Sequence, residues 1–172
     1  MSSSGGTYFF DTLPEPLHLE CATFLHRDVV ENVALFKGTS ESFLREVMMN
    51  LHPQVCTPNE YVVNSGDVAR AMFYISRGTV AVLREYEVIG HLSAGDYFGD
   101  MAILMGGRRS RSVRAETFCD LFLLEADRLQ ILLSTYGSDL DVVHANACEL
   151  RGKKERQGLS SRLNVLERGA SS

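Results

Sequence analysis

The spacing of apolar residues divides the chain into a helical beginning, a middle of short strands and a helical end. In residues 14–36 the apolar side chains follow a three-four spacing, which predicts a helix with one apolar face. A second helix is predicted from Thr39 to Leu51. Ser40 is its predicted N-cap, because a serine hydroxyl can accept a hydrogen bond from the first helical turn.

From Pro53 the period changes to that of β-strands. In "TVAVLRE", Val80 and Val82 share one face of the strand, while Ala81 and Leu83 share the other. Further short runs of this kind follow one another, separated by turn residues that include several glycines. They are "QVCT", "YVVNSGD", "MFYISRG", "EVIGHLSAG", "SVRAE" and "CDLFLLE". This succession predicts an antiparallel sandwich or roll.

The helical pattern returns after Glu125. The run "ADRLQILLSTYG" predicts a helix that ends near Gly137. The run "SDLDVVHANACELRGKKERQ" predicts another helix, with Ser138 or Asp139 as N-cap. The predicted fold class is therefore α+β and mainly β. It is an antiparallel β-roll or jelly roll flanked by N-terminal helices and two C-terminal helices.

The composition fits one globular domain that does not bind nucleic acid. The chain has 172 residues, and 45% of them are hydrophobic, which is enough for a core. A formal net charge of −5 argues against binding nucleic acid through a basic surface. The four cysteines lack a C-x-x-C pair, so they are predicted to be buried, reduced thiols of a reducing compartment. They are Cys21, Cys56, Cys119 and Cys148.

Nothing in the residue pattern indicates catalysis. The five histidines are dispersed and form no His-x-His pair, which argues against a metal-dependent enzyme on a β-roll, such as a cupin. No Ser-His-Asp or Cys-His arrangement is supported by the spacing. The sequence also lacks an apolar run long enough to span a bilayer. We therefore expect a binding protein that is not an enzyme and needs neither a metal nor a cofactor.

The stretch "YFGDMAILMGGRRSRSVRA", Tyr97 to Ala115, concentrates arginines beside glycines in an acidic chain. Its "GDMAIL" segment predicts a short inserted helix whose first amides, after Gly99, can bind an anion. Arg109 can form a bidentate pair with a phosphate, and Ser110 can add a hydroxyl donor. Asp100 suits a sugar hydroxyl. An apolar wall for a base is expected from Val82, Leu92, Phe98 and Ala102. As a bare pattern, "GGRRSRS" also fits a solvated loop or a phosphorylation site at Ser110 or Ser112.

Together, "GDYFGDMAIL" and "RRSRSVRAETFCDLFLL" resemble the phosphate-binding cassette of cyclic-nucleotide-binding domains. The likeness is to those of hyperpolarization-activated and cyclic-nucleotide-gated cation channels. The matching residues are Phe98, Gly99, Arg109, Ser112, Val113 and Ala115. Upstream, Gly66, Asp67, Met72, Tyr74, Ile75 and Gly78 also fall on family positions. The segment "LPEPLHLECATFLHRDVVENVALFKG" resembles the end of the linker between channel pore and binding domain. The resemblance covers about residues 13–155.

This resemblance implies cyclic AMP or cyclic GMP in the β-roll, with its phosphate on Arg109 and a lid helix after Gly137. Asp100 departs from the family's Glu and reaches less far toward the ribose. Arg111 replaces a small Ala and faces either the phosphate or solvent. Ala147, Leu150 and Arg151 are candidates to face the base. The predicted ligand-binding set is Val82, Leu92, Phe98, Gly99, Asp100, Met101, Ala102, Arg109, Ser110, Arg111 and Leu150.

The resemblance also implies an organisation and a host protein. Residues 1–12 are expected to be a flexible lead, 13–38 linker-like helices and 157–172 a flexible tail. Residues 39–156 are expected to be the binding domain, with its β-roll at about 52–125 and its C-terminal helices at about 126–156. The implied partner is a membrane-embedded pore of the same parent chain, on the cytoplasmic side of the plasma membrane. The parent is expected to be tetrameric and this piece monomeric.

Other hosts of the same fold remain open at this point. A sperm-type sodium/proton exchanger is one alternative to a channel. A bacterial transcription regulator is disfavoured because few residues follow the lid. A kinase regulatory subunit is disfavoured because neither an inhibitory segment nor a second binding domain is visible. A domain that fills its own pocket is disfavoured because an unoccupied pocket is expected to leave the Arg109 guanidinium without partners.

Overall fold

The computed structural model describes residues 30, 31, 33–104 and 106–152. Its strands are β1 (His52–Cys56), β2 (Tyr61–Val63), β3 (Ala71–Arg77), β4 (Thr79–Arg84), β5 (Glu87–Ser93), β6 (Tyr97–Phe98), β7 (Ser112–Ala115) and β8 (Cys119–Glu125). The helical segments after residue 33 are a 3-10 helix (Ala34–Phe36), α1 (Glu41–Met49), α2 (Asp100–Leu104), α3 (Ala126–Thr135) and α4 (137–152). The predicted flexible ends, at 1–12 and 157–172, lie outside the described residues, as does most of the predicted linker.

The strands form two four-stranded antiparallel sheets. One sheet has the order β1-β8-β3-β6 and the other the order β2-β7-β4-β5. In the first sheet, β8 pairs with β1 on one side and with β3 on the other. In the second sheet, β4 pairs with β5 and β7. The antiparallel β-roll with flanking helices confirms the predicted fold class. None of the described helices is long and apolar enough to cross a membrane.

Two apolar clusters fill the interior. The roll cluster lies between the sheets and consists of Cys56, Val63, Ala71, Phe73, Ile75, Val80, Phe98, Val113, Ala115, Cys119 and Leu121. The helix cluster joins the helices to the outer face of the first sheet. It consists of Val30, Val33, Leu35, Phe36, Phe43, Val47, Met48, Met72, Tyr74, Ile103, Leu124, Leu129, Leu132, Leu133, Val143 and Ala147.

Strand β3 forms the wall between the two clusters. Ala71, Phe73 and Ile75 point into the roll cluster, whereas Met72 and Tyr74 point into the helix cluster. All five side chains are buried, because successive residues of a strand face opposite sides and both sides of this strand are covered. This double burial explains why the segment "AMFYI" shows no alternation of apolar and polar residues.

The N-terminal helices differ from their predicted extents. The prediction of one continuous helix to Phe36 is wrong, because Val33 has an extended backbone and is followed by the separate 3-10 helix. The second predicted helix forms, but it is shorter than predicted and covers Glu41–Met49. Its predicted cap is confirmed, since the Ser40 hydroxyl accepts a hydrogen bond from the Phe43 amide at 3.2 Å.

The first and last parts of the described chain are tied together by polar contacts. The amide and the hydroxyl of Ser40 donate to the two carboxylate oxygens of Asp139, at 2.6 and 2.7 Å. The Asn146 amide donates to the carbonyls of Leu35 and Lys37, at 3.0 and 2.8 Å. Asp139 is buried inside α4. The prediction of Ser138 or Asp139 as an N-cap is therefore wrong, because α4 begins at residue 137 and the Asp139 carboxylate is used in this tertiary contact.

The cysteines divide into two groups. Cys56 and Cys119 are buried free thiols, as predicted. Cys148 is a free thiol on the exposed side of α4, so the prediction that it is buried is wrong. Its apolar neighbours in the sequence belong to the other face of the helix. Cys21 lies outside the described residues.

Replacing Ser40 with Ala is expected to lower the free energy of unfolding by about 1–3 kcal/mol. It removes the N-cap of α1 and one of the two donors that the buried Asp139 carboxylate receives from Ser40. Equilibrium unfolding in urea measures the change. The control is Ser42→Ala, at an exposed position of the same helix, with an expected change within about 0.5 kcal/mol. Equal losses in the two variants would show that the Ser40–Asp139 contact does not stabilise the fold.

Candidate functional site

The side chain of Arg109 is buried between α2 and the first sheet. Its side chain is only 7% exposed. Nη1 donates to the Gly99 carbonyl at 3.1 Å, and Nη2 donates to the Ala71 carbonyl. The guanidinium also lies over the Phe73 ring, 5.9 Å from its centroid, which is within the range of a cation–π contact. The two carbonyls and the ring hold the cation in one orientation.

The close approach of Arg109 requires a glycine at position 99. Gly99 has a φ of +86°, which residues with a side chain rarely adopt. A Cβ at this position would lie 2.4 Å from Arg109 Nη1 and 3.2 Å from the Ala71 carbonyl oxygen. Glycine is therefore needed for two reasons, the backbone conformation and the space that the guanidinium occupies.

The loop between β2 and β3 fixes the backbone of Arg109. The Gly66 amide donates to the Arg109 carbonyl, and the Arg109 amide donates to the Asp67 carbonyl, both at 2.8 Å. Next to this pair, the Ser65 amide donates to the Ser112 hydroxyl at 2.9 Å. These bonds join two loops that are more than 40 residues apart in the chain, so both ends of the Arg109 side chain are anchored.

Phe73 and Phe98 extend the site as an aromatic surface. Their rings are stacked, with centroids 5.1 Å apart and an interplanar angle of 17°. Both rings are buried in the roll cluster, and Phe73 also contacts the Arg109 guanidinium. The cation therefore lies at the edge of an apolar, aromatic interior. This position suits a ligand with an anionic group next to a flat apolar one.

Two carboxylates modify the electrostatics of the site. Burial lowers the pKa of the Arg109 guanidinium, and the charges of Asp67 and Asp100 oppose that shift. Asp100 is 2% exposed at the start of α2. Burial raises the pKa of Tyr97, and the Asp100 carboxylate raises it further. Arginine has so high an intrinsic pKa that the guanidinium stays charged in the physiological range.

Comparisons with known proteins agree with this geometry. Residues 53–136 match the family model described as the cyclic nucleotide-binding domain. The chain is 34% identical over 124 residues to the human potassium/sodium hyperpolarization-activated cyclic nucleotide-gated channel 4, and 36% identical over 124 residues to human channel 3. It is 34% identical over 121 residues to channel 2 of Mus musculus. Residues 53–136 form a cyclic nucleotide-binding domain.

The aligned part covers most of this chain and little of the relatives. It is 72% of this chain for channels 3 and 4 but 16% and 10% of those proteins, and for channel 2 it is 70% and 14%. The resemblance identified from the sequence is thus confirmed. The family and the relatives are described by nucleotide binding and channel gating, not by catalysis, so the expectation that the domain is not an enzyme is confirmed on the same grounds.

Around Arg109 the domain places the predicted polar residues in different settings. Gly99 and Asp100 lie beside the guanidinium, as described above. Ser110 is exposed, so its hydroxyl is accessible from solvent. Arg111 is half-buried, and its Nη1 donates to the Ser110 carbonyl at 2.6 Å. Ser112, the family-matched serine, is buried and accepts the bond from Ser65.

The predicted apolar residues of the domain lie in two places. Val82 and Leu92, from neighbouring strands of the second sheet, are partly buried against the roll cluster that contains Phe98. Met101 and Ala102 are half-buried on α2. Leu150 lies on α4 and is packed against the helix cluster rather than against the roll cluster. Its predicted contact with a base therefore requires α4 to move and stays a prediction.

Sequence reasoning missed two residues of the site, Ala71 and Phe73. Ala71 contributes only its carbonyl oxygen, so no side-chain pattern can reveal its role. Phe73 lies in a strand that is buried on both sides, where an aromatic residue is indistinguishable by pattern from any other core residue. The spacing of Ala71 and Phe73 puts both on one face of β3, which becomes informative only after the strand is known to border the site.

Replacing Gly99 with Ala is expected to lower the free energy of unfolding by about 1–3 kcal/mol, since it combines a strained backbone with a clash against Arg109. Urea unfolding measures the loss. The matched control is Gly106→Ala, which shares the positive φ (+62°) but meets nothing within 4 Å. The loss at position 99 should exceed that at position 106. Equal losses would mean that only backbone strain matters and that Arg109 moves without cost.

Proposed function

We propose that this chain is a regulatory module that binds cyclic AMP or cyclic GMP and transmits ligand binding to a membrane-embedded pore of its parent protein. The observation that carries the proposal is the Arg109 guanidinium, which is held by two backbone carbonyls at the edge of an apolar roll. A cyclic nucleotide has a phosphate for the guanidinium and a flat base for the apolar interior. Because the relatives are channels, a channel parent is preferred to an exchanger.

Arg109 is the proposed phosphate ligand. Its two described bonds use one donor on each terminal nitrogen, and a guanidinium carries more N–H donors than these. The side chain is already ordered, so a phosphate gains a charged partner without the entropic cost of fixing a long side chain. The exposed Ser110 hydroxyl is a proposed second donor, and this role is compatible with either nucleotide.

Asp100 is the proposed partner of the ribose hydroxyl. Its carboxylate is buried beside Arg109, at the first position of α2. A carboxylate accepts hydrogen bonds from hydroxyl groups but repels a phosphate, so it suits the sugar and not the anionic group. Val82, Leu92 and Phe98 are the proposed wall for the base, since Phe98 belongs to the roll cluster and Val82 and Leu92 pack against it.

Transmission is proposed to pass through α4. A groove of about 300 Å³ separates α2 from α3 and α4, and its lining includes Ile103, Leu129, Leu140 and His144. A ligand that shifts α2 would change the shape of this groove and with it the packing of α4, whose Leu140 and His144 line it. Because the polar contacts of Asp139 and Asn146 join α4 to the N-terminal segment, movement of α4 moves that segment too. The ligand favours the arrangement that binds it better.

A pocket that the protein fills itself is the competing account. The sequence argument against it assumed that an unoccupied pocket leaves Arg109 without partners. That premise is wrong, because the guanidinium is bonded to the carbonyls of Ala71 and Gly99. The choice between the two accounts therefore depends on a binding measurement. This measurement is calorimetric titration with cyclic AMP and, separately, with cyclic GMP. Saturable one-to-one binding supports the proposal, whereas no binding to either nucleotide supports the self-filled pocket.

Replacing Arg109 with Glu is expected to weaken nucleotide binding by about a hundredfold or more, since it puts a like charge against the phosphate. Arg111→Glu makes the same charge change two residues away and is the matched control. Its expected loss is about tenfold or less, because the Arg111 guanidinium lies beside the Ser110 carbonyl. Titration measures both affinities, and circular dichroism checks that both variants are folded. Equal losses of affinity in the two variants would indicate a general effect of charge, and would contradict the assignment of Arg109 as the phosphate ligand.

Replacing Asp100 with Ala is expected to weaken binding by about tenfold, which is less than the Arg109→Glu effect, because one hydrogen bond to a sugar hydroxyl is lost. The control is Asp127→Ala, at an exposed position of α3. Affinity for the 2′-deoxy analogue of the ligand separates the roles. If Asp100 binds the ribose hydroxyl, the analogue and the variant should show similar losses that do not add. Additive losses would place Asp100 away from the ribose.

A further inference from the structure

Two buried thiols lie side by side on neighbouring strands of the first sheet. Cys56, the last residue of β1, is the direct register partner of Cys119, the first residue of β8. Both residues are 0% exposed, and both belong to the roll cluster. Directly opposed residues of antiparallel strands have their side chains on the same face of the sheet, so the two sulfurs share one small region of the interior.

The spacing of the pair suits a disulfide. Opposed residues of antiparallel strands have Cα atoms about 4.5 or 5.5 Å apart, depending on the type of pair. Disulfides join Cα atoms that are about 4.4–6.8 Å apart, so either type of pair falls within the range. The present contacts of the sulfurs are weak. Cys56 Sγ accepts a bond from Gln54 Nε2 at 3.5 Å, and Cys119 Sγ donates to the Thr79 and Thr117 carbonyls at 3.4 Å. If the two side chains rotate toward each other, these weak hydrogen bonds break at little cost in free energy.

We propose that Cys56 and Cys119 are a redox-active dithiol that a hydroperoxide converts into a cross-strand disulfide. The thiolate of Cys56 attacks the terminal peroxide oxygen, which forms a sulfenic acid and releases the other oxygen as water or an alcohol after protonation. The thiol of Cys119 then attacks the sulfenic sulfur, which forms the S–S bond and releases water. The two thiols lose two electrons and two hydrogens, and the peroxide is reduced.

Strand opening controls access to the pair. Burial raises the pKa of the Cys56 thiol, so this thiol is unreactive while β1 is paired. Among the described strands, β1 pairs only with β8 and forms an edge of its sheet. The end of an edge strand opens more easily than a central strand, because it breaks one ladder and not two. Opening of the end of β1 exposes Cys56, whereas Cys119 begins a strand that stays paired with β3 from Asp120 onward and its Sγ keeps its contact with the Thr79 carbonyl. This difference fits the order of the two chemical steps.

The dithiol lies at the end of the sheet away from Arg109. On β3, Ala71 pairs with Glu125 and borders Arg109, whereas Arg77 pairs with Asp120 next to Cys119. The disulfide therefore constrains the far end of the roll and leaves the Arg109 site unchanged. The inference rests on strand register and burial, so it stands independently of the proposed ligand.

The test uses the full chain with Cys21→Ser and Cys148→Ser, in which Cys56 and Cys119 are the remaining cysteines. Hydrogen peroxide is added to the folded protein, and peptide mapping under non-reducing conditions identifies the product. We expect a loss of two hydrogens in the intact mass and a Cys56–Cys119 peptide. We also expect the unfolding midpoint to rise by about 5 °C or more, because the bond closes most of the roll into one loop. A reducing agent should reverse both changes.

A third substitution, Cys56→Ala, provides the matched control. This variant should show no change in mass that corresponds to an internal disulfide and no rise in the midpoint. Low urea, below the unfolding transition, should speed oxidation of the two-cysteine chain if strand opening limits access. Thiols that stay reduced even in low urea overturn the proposal, and so does oxidation that stops at a sulfinic acid on either cysteine. A disulfide that lowers the midpoint overturns the claim that the native register accommodates the bond.

Discussion

The burial of the Arg109 guanidinium is the constraint on which the neighbouring segments depend. A cation removed from water needs fixed partners, and here they are the carbonyls of Ala71 and Gly99 and the face of Phe73. The partners come from two parts of the chain, since Ala71 and Phe73 belong to β3 and Gly99 precedes α2. One side chain therefore determines how the start of β3 meets the residue before α2. The bonds of Gly66 and Asp67 to the Arg109 backbone add the loop between β2 and β3.

Strand β3 connects this site to the rest of the domain. Ala71, Phe73 and Ile75 face the roll, and Met72 and Tyr74 face the helices. The helix cluster also contains Ile103 of α2, so the helix that follows Gly99 rests on the same apolar surface as α3 and α4. Close-packed surfaces of this kind have few alternative arrangements, so any shift of α2 would require a change of packing in the helix cluster. The contacts of Asp139 and Asn146 extend this connection to the N-terminal segment.

The sequence was informative where local chemistry decides the structure. Ser40 was predictable as a cap. Gly99 and Arg109 were predicted as members of one site; the structure brings them into contact, and their role in binding a ligand stays a prediction. The break at Val33 was missed, since apolar spacing does not report backbone conformation. The role of Asp139 was mistaken because a tertiary contact with Ser40 took the carboxylate that a local cap would use. Ala71 acts through its backbone, which no side-chain pattern records.

The bonds of Arg109 to carbonyls also bear on how a ligand gains affinity and selectivity. Because the guanidinium is ordered and partnered, a phosphate adds to an existing arrangement, and little reorganisation offsets the gain. The Arg109 guanidinium is proposed to contact the phosphate and not the base. Because the two cyclic nucleotides differ only in the base, this contact does not distinguish between them. Under the proposed function, selectivity then comes from the groups proposed to face the base, which include the half-buried Val82 and Leu92. In the proposed site, affinity would thus depend on the preorganised Arg109 and selectivity on the residues around the base.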